Sequence, residues 1–177
     1  MGTFLHIGLR ARLSASKAES PAQTDALRTH LRNAIDLSIY DEQESDNEFV
    51  WSLKPDLIEN ELVPFLRKQF SLIPSEGKRD SRQETLAELT SIKTVAELET
   101  WCEEAESYIG HWDGYDSLTI GEGRQRQRIA VETFVFVSEG KIMMETYGRV
   151  FDYFETLIGL ANPEFQLAKA ATVSISG

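Results

Sequence analysis

Cysteine is nearly absent from this sequence. Cys102 stands alone among 177 residues, so no disulfide can close within the chain and no multi-thiolate metal site can be assembled. Histidine is almost as scarce: His6, His30 and His111 are the only three, and no two fall at the spacing of a zinc motif. No apolar run approaches the ~20 residues a membrane span requires. The opening Met1-Gly2-Thr3-Phe4-Leu5-His6 lacks a leader pattern, and His6 stands where a myristoylation signal needs Ser or Thr. The expectation is a cytoplasmic chain without metal, cofactor or membrane partner.

Catalytic and nucleotide motifs are missing too. There is no Walker pattern and no Gly-x-Ser-x-Gly elbow. Gly121-Glu122-Gly123 begins like a dinucleotide fingerprint, but Arg126 occupies the place of the third glycine. Positive charge is the minority sign, 18 Lys+Arg against 29 Asp+Glu, for a net of −11. A field of that sign repels nucleic acid and anionic membrane, which argues against general DNA binding, and it attracts basic partners.

Apolar residues are plentiful, with 41% hydrophobic and 10% aromatic. A chain of this length can hide roughly 70% of the surface its unfolded state exposes. One domain over residues 1–177 is expected, with a polar, punctuated stretch at Pro74–Asp80 as a possible internal linker.

Residues from Thr3 to Leu13 alternate, with Leu5, Ile7, Leu9, Ala11 and Leu13 on one face, which predicts a half-buried strand. Ser20-Pro21-Ala22-Gln23 supplies a helix start, and Leu27, Leu31, Ala34 and Ile35 give the helix an apolar stripe to Ile35. Two short strands are expected at Leu37–Tyr40 and Phe49–Leu53, joined by a charged, exposed hairpin tip or loop from Asp41 to Glu48. Pro55 opens a helix that Pro64 should bend or divide. Capping boxes at Ser81/Glu84 and Thr94/Glu97 predict helices near 82–89 and 95–108. A glycine-flanked loop from Gly110 to Asp116 leads to a strand at Leu118–Ile120. A hairpin follows, Ile129–Val137 with a turn at Ser138–Lys141 and a return over Ile142–Tyr147. Val150 to Ala161 reads as a helix stopped by Asn162-Pro163, and Phe165 to Ile175 as a terminal strand. This order lacks regular βαβ alternation. It predicts an α+β fold, an antiparallel or mixed β-sheet with helices packed mainly on one face.

Three function classes remain. The first is a non-enzymatic acidic binding protein, such as an immunity or inhibitor protein that occludes a basic protein partner. Its candidate contacts are Asp41, Glu42, Glu44 and Asp46 in the charged run, and Trp112, Asp113, Tyr115 and Asp116 in the glycine-flanked segment, aromatics amid carboxylates being suited to anchor a charged interface. Glu97, Glu99, Glu103, Glu104 and Glu106 make a second acidic surface on one helix. The second class is a small enzyme or anionic-ligand domain in which His111 and Asp113 handle a proton while sheet arginines hold an anion. Period 2 assigns Arg124, Arg126 and Arg128 to one face, with Arg10 and Arg12 also opposite an apolar row, so five arginines are candidates for one anion-binding face; cross-strand pairing with Glu48, Glu132 or Glu145 is the competing use. The third is a homo-oligomer joined through an exposed sheet face centred on Phe134 and Phe136. Cys102 falls on the apolar stripe of its helix, where a thiol serves packing.

Overall fold

The computed structural model describes residues 4–17, 21–71, 87–104, 111–140 and 156–176. The fold is α+β: an antiparallel sheet, six-stranded among the described residues, with helices on its faces. The strands are β1 (Phe4–Ser16), β2 (Tyr40–Glu44), β3 (Glu48–Leu53), β4 (His111–Ile120), β5 (Gln127–Gly140) and β6 (Ala171–Ser176). Their order is β2-β3-β1-β5-β4. The long β1 is the hub: β5 lies along one edge, while its other edge is shared by β6 against Phe4–Leu9 and β3 against Arg12–Ser16.

The β1–β5 ladder slips twice, which leaves Phe136 on β5 and Ala11 on β1 without opposite residues. Each extra residue is a bulge, and the second decides where the arginines go. Arg10 stands across from Thr133 and Arg12 across from Glu132. Thr133 and Glu132 are consecutive and so face opposite sides, and their partners Arg10 and Arg12 do the same. Near the first bulge Gly8 is buried against β5, where a Cβ would come within 2.4 Å of the Phe134 carbonyl oxygen. Only glycine lets the two backbones approach that closely.

Helix α1 (Pro21–Ala34) covers the face carrying Leu13, Phe49 and Trp51, burying Leu27 and Leu31. Its predicted cap at Ser20 lies outside the described residues. The next helical run begins at Pro55 as α2 (Pro55–Leu57) and ends as α3 (Val63–Ser71), separated by a π-helical turn at Ile58–Leu62. There the Val63 N–H reaches back five residues to the Ile58 carbonyl. Pro64 has no N–H to give, and its ring would press on the preceding turn, so the wider turn just before it takes up the interruption predicted for this helix. Helix α4 (Val95–Glu104) begins at the expected capping box. The Glu97 N–H donates to Thr94 Oγ1 at 3.2 Å, and the Thr94 N–H to Glu97 Oε2 at 2.9 Å. Both α3 and α4 lie on the face opposite α1: Phe65 meets Phe136 edge-on at 5.6 Å, and Glu99 reaches Arg12. The two faces contribute to one hydrophobic cluster running from Ile7 and Leu9 through Phe134 to Leu160 and Leu167.

Several boundaries differ from expectation. Leu37–Ile39 is a 3-10 turn rather than a strand, and β2 begins at Tyr40. The run from Asp41 to Glu48 is therefore a hairpin rather than a loop, with a shorter tip than expected: it is most of β2, a turn, and the first residue of β3. Charge density misleads there because alternation hands Glu42 and Glu44 to cations beside α1, while the neighbouring side chains stay in water. The segment expected as a glycine loop is the first half of β4, with a register shift between Asp113 and Asp116 that absorbs the irregularity. β5 continues to Gly140 through most of the expected turn, and the expected return strand lies outside the described residues, as do the linker at 74–80 and the Ser81/Glu84 box. Helical residues 156–160 do end before Asn162-Pro163. The terminal strand is shorter than expected, because Gln166–Ala170 forms a 3-10 helix before β6.

Candidate functional site

The acidic run owes its geometry to β2. Glu42 pairs across the ladder with Trp51 and Glu44 with Phe49, so both carboxylates point to the α1 face. Arg28 of α1 lies 4.3 Å over the Phe49 ring and donates from Nε and Nη2 to Glu42 Oε1, at 3.0 and 2.7 Å, and from Nη2 to Glu44 Oε2 at 2.9 Å. Lys17 adds an ion pair to Glu44 at 2.7 Å. The hydrogen bonds that Arg28 gives to Glu42 raise its guanidinium above its usual value, and Lys17 holds the Glu44 carboxyl below its own. Two anions and two cations thus cancel on this face. Asp41 pairs with Ser52 and Glu48 with Ser16, on the other face, where no described residue forms an ion pair with either. Alternation has divided one acidic run into a neutralised side and an open side. Asp46, in the turn, is exposed.

At the head of β2 lies a cleft of about 600 Å³ between the C-terminal end of α1 and the sheet, lined by Arg32, Asp36, Ser38, Tyr40, Glu42 and Trp51, among others. Asp36 caps the 3-10 turn by accepting from the Ser38 N–H at 3.0 Å. It also ion-pairs Lys169 at 2.8 Å, and that contact chiefly, with Ser38, pulls its carboxyl down to about 2. Tyr40 donates to the Arg10 carbonyl at 2.9 Å, and burial pushes its phenol up to about 12. Trp51 is 1% exposed, and its indole Nε1 has no hydrogen-bond acceptor. A buried donor left without a partner is costly enough to ask for an explanation. Trp101 Nε1 and Gln127 Oε1 are also unpartnered, but neither residue lines this cleft or a smaller one, about 420 Å³, beside Glu59, Pro64 and Arg67.

The second group of candidates sits elsewhere. Trp112, Asp113, Tyr115 and Asp116 belong to β4, the opposite end of the strand order from β2, so four inter-strand steps, or roughly 19 Å, separate the two acidic segments. They do not make one patch. Trp112 is engaged inside the fold: the Arg12 guanidinium lies 5.6 Å over its ring, and its Nε1 donates to Glu132 Oε2 at 3.2 Å. Glu132 and Glu99 hold Arg12 at 2.7 and 2.9 Å.

The arginines do not share a face. Arg12 pairs with Glu132, one of the cross-strand partners anticipated for it. Arg10 faces the other way and donates to the Lys169 carbonyl at 3.1 Å. Arg128 donates to Ser117 Oγ at 2.8 Å, while Arg124 and Arg126 are exposed in and beside the turn between β4 and β5. His111 opens β4 and that turn follows its end, nine residues on, so the strand puts roughly 30 Å between them. The geometry therefore gathers no pocket from His111, Asp113 and these three arginines. Phe134 and Phe136, expected to centre an exposed face, are 0% and 8% exposed because α3 packs over them. Among the described residues the large exposed apolar side chains are instead Phe4, Ile158, Val173 and Ile175.

Cys102 is buried, and burial first, then Glu99 and Glu103, pushes its thiol up to about 12, the opposite of what a nucleophile needs. Among the described residues no cluster of His, Cys, Asp and Glu could hold a metal, and no helix is long and apolar enough to cross a membrane.

Sequence reasoning missed the cleft, Trp51 and the Asp36–Lys169 pair. Asp36-Leu37-Ser38 does carry a local signal, an Asx-type cap, but the partner 133 residues away could not be read from it. No family model matches the chain, and neither the curated proteins nor the solved structures include a match to it.

Proposed function

We propose that this protein is a non-enzymatic acidic binding protein that occludes a basic protein partner, in the manner of an immunity or inhibitor protein, with β2 and the cleft at its head as the contact surface. The observation that carries this reading is the division of the acidic run. Arg28 and Lys17 fix β2 from one side, while Asp41 and Glu48 stay without ion-pair partners among the described residues on the other. An ordered strand holds its carboxylates at set spacings, so a basic surface meeting them loses little to immobilising the acidic side. The net charge of −11 adds long-range attraction. The contacts assigned are Asp41, Asp46 and Glu48, with Glu42 and Glu44 as the paired scaffold behind them.

The test is affinity purification from the native cell, followed by kinetics on the purified binary complex with wild type and a D41K/D46K/E48K variant. Steered association should slow roughly tenfold between low and high salt, and the variant should lose that acceleration. A partner that binds both proteins at the same rate, with no salt dependence, would overturn the reading.

A further inference from the structure

The backbone of β2 offers a more specific mode of docking. The Ser45 N–H donates to the Glu48 carbonyl at 3.0 Å and the Lys54 N–H to the Ile39 carbonyl at 3.1 Å, which brackets the β2–β3 ladder. Both pairs lie in register with Asp41↔Ser52 and Gln43↔Val50, so the odd-numbered residues carry the hydrogen-bonded positions. Tyr40, Glu42 and Glu44 hold the alternate positions, and the N–H and C=O groups of Glu42 and Glu44 point away from β3. β2 ends the strand order, and no hydrogen bond among the described residues uses those four groups.

We infer that the basic partner docks by strand addition, pairing an extended segment with the free edge of β2 so that its lysines or arginines share a face with Asp41 and Glu48. This rests on the binding role proposed above and goes further by naming the bonded atoms. Three features select a basic strand as occupant. A second copy would bring the open carboxylates Asp41 and Glu48 of two chains onto one face, which repels self-pairing. An incoming strand alternates its side chains, so cations at every second residue meet the open carboxylates, while the intervening residues face the side where Glu42 and Glu44 are already neutralised. The cleft of about 600 Å³ at the head of β2, lined by Tyr40 and Glu42, leaves room for the end of an incoming segment beside that edge.

The probe is an octapeptide of alternating lysine and valine, with a second version N-methylated at alternate residues, which keeps every charge and blocks one backbone edge. Binding is followed by amide exchange and chemical shifts on the full chain. The plain peptide should protect the Glu42 and Glu44 amides, bind at least tenfold more tightly than the methylated one, and weaken at least tenfold against a D41K/E48K variant. Equal binding of the two peptides without protection at Glu42 and Glu44 would overturn strand addition while leaving an acidic docking surface in place. Failure of both peptides to bind would count against both readings. Protection confined to another strand would overturn the assignment to β2.

Discussion

Arg12 and Glu132 face each other across the β1–β5 ladder with Nη1 2.7 Å from Oε2, and the same carboxylate oxygen accepts the indole N–H of Trp112. Glu99 takes the other end of the guanidinium, tying α4 to the sheet. A double-mutant cycle with Arg12→Met and Glu132→Gln should give a coupling of about 1 kcal/mol, modest because both side chains keep some exposure. Trp112 loses its cation and the charge on its acceptor in the double variant, so the fluorescence of the folded state should change as well. A coupling near zero would show that the pair is incidental to the packing.

Gly8 leaves no room for a side chain. Gly8→Ala puts a methyl within 2.4 Å of the Phe134 carbonyl oxygen and 3.0 Å of the Val135 Cα, and backbone cannot swing aside as a flexible side chain can. The denaturant midpoint should fall by the equivalent of ~2 kcal/mol or more. Gly114→Ala, where the nearest atom is the Glu132 Cγ at 3.8 Å, is the control and should change stability little.

Asp36 predicts an acid-side effect. Its folded carboxyl lies at about 2, below the ordinary 3.8, chiefly through Lys169. A depressed value means the contribution to stability is fully present above about pH 4 and is lost as pH falls through about 2. The stability difference between wild type and Asp36→Asn should therefore shrink over that window, and the carboxyl resonance of Asp36 should titrate near its bottom. Asp36 is exposed, so the difference is small even at neutral pH.

Cys102 should be inert in the native protein. With the thiol pushed up to about 12, the thiolate at pH 8 is scarce, and alkylation should run on the order of a thousandfold slower than for a free thiol. Denaturation should restore ordinary reactivity; rapid labelling without denaturant would show that the helix opens locally.

Local pattern was enough wherever a short-range preference and burial agreed. Thr94 and Glu97 meet as a capping box because both halves of that motif lie within one turn, and Pro55 opens its helix because it needs no N–H partner there. Strands β1 and β3 follow from alternation against one core. The candidate site was half legible: the acidic residues are visible in the chain, but which of them are neutralised is set by Arg28 and Lys17, brought alongside by the packing of α1 and the pairing of β3. Phe134 and Phe136 alternate like exposed residues and are buried, since a helix covers the face that period 2 would leave open.

The sequence by itself determined the acidic excess and the α+β class, with helices and strands where local pattern and burial agree, because composition and nearest-neighbour preference act before any long-range contact exists. Only the tertiary structure decided that Arg10 and Arg12 part company at the Ala11 bulge, that the two acidic segments end on opposite edges, and that the outer edge of β2 meets no other strand among the described residues. Register and strand order arise from contacts between residues far apart in the chain, and one extra residue in a ladder turns every later side chain to the other face.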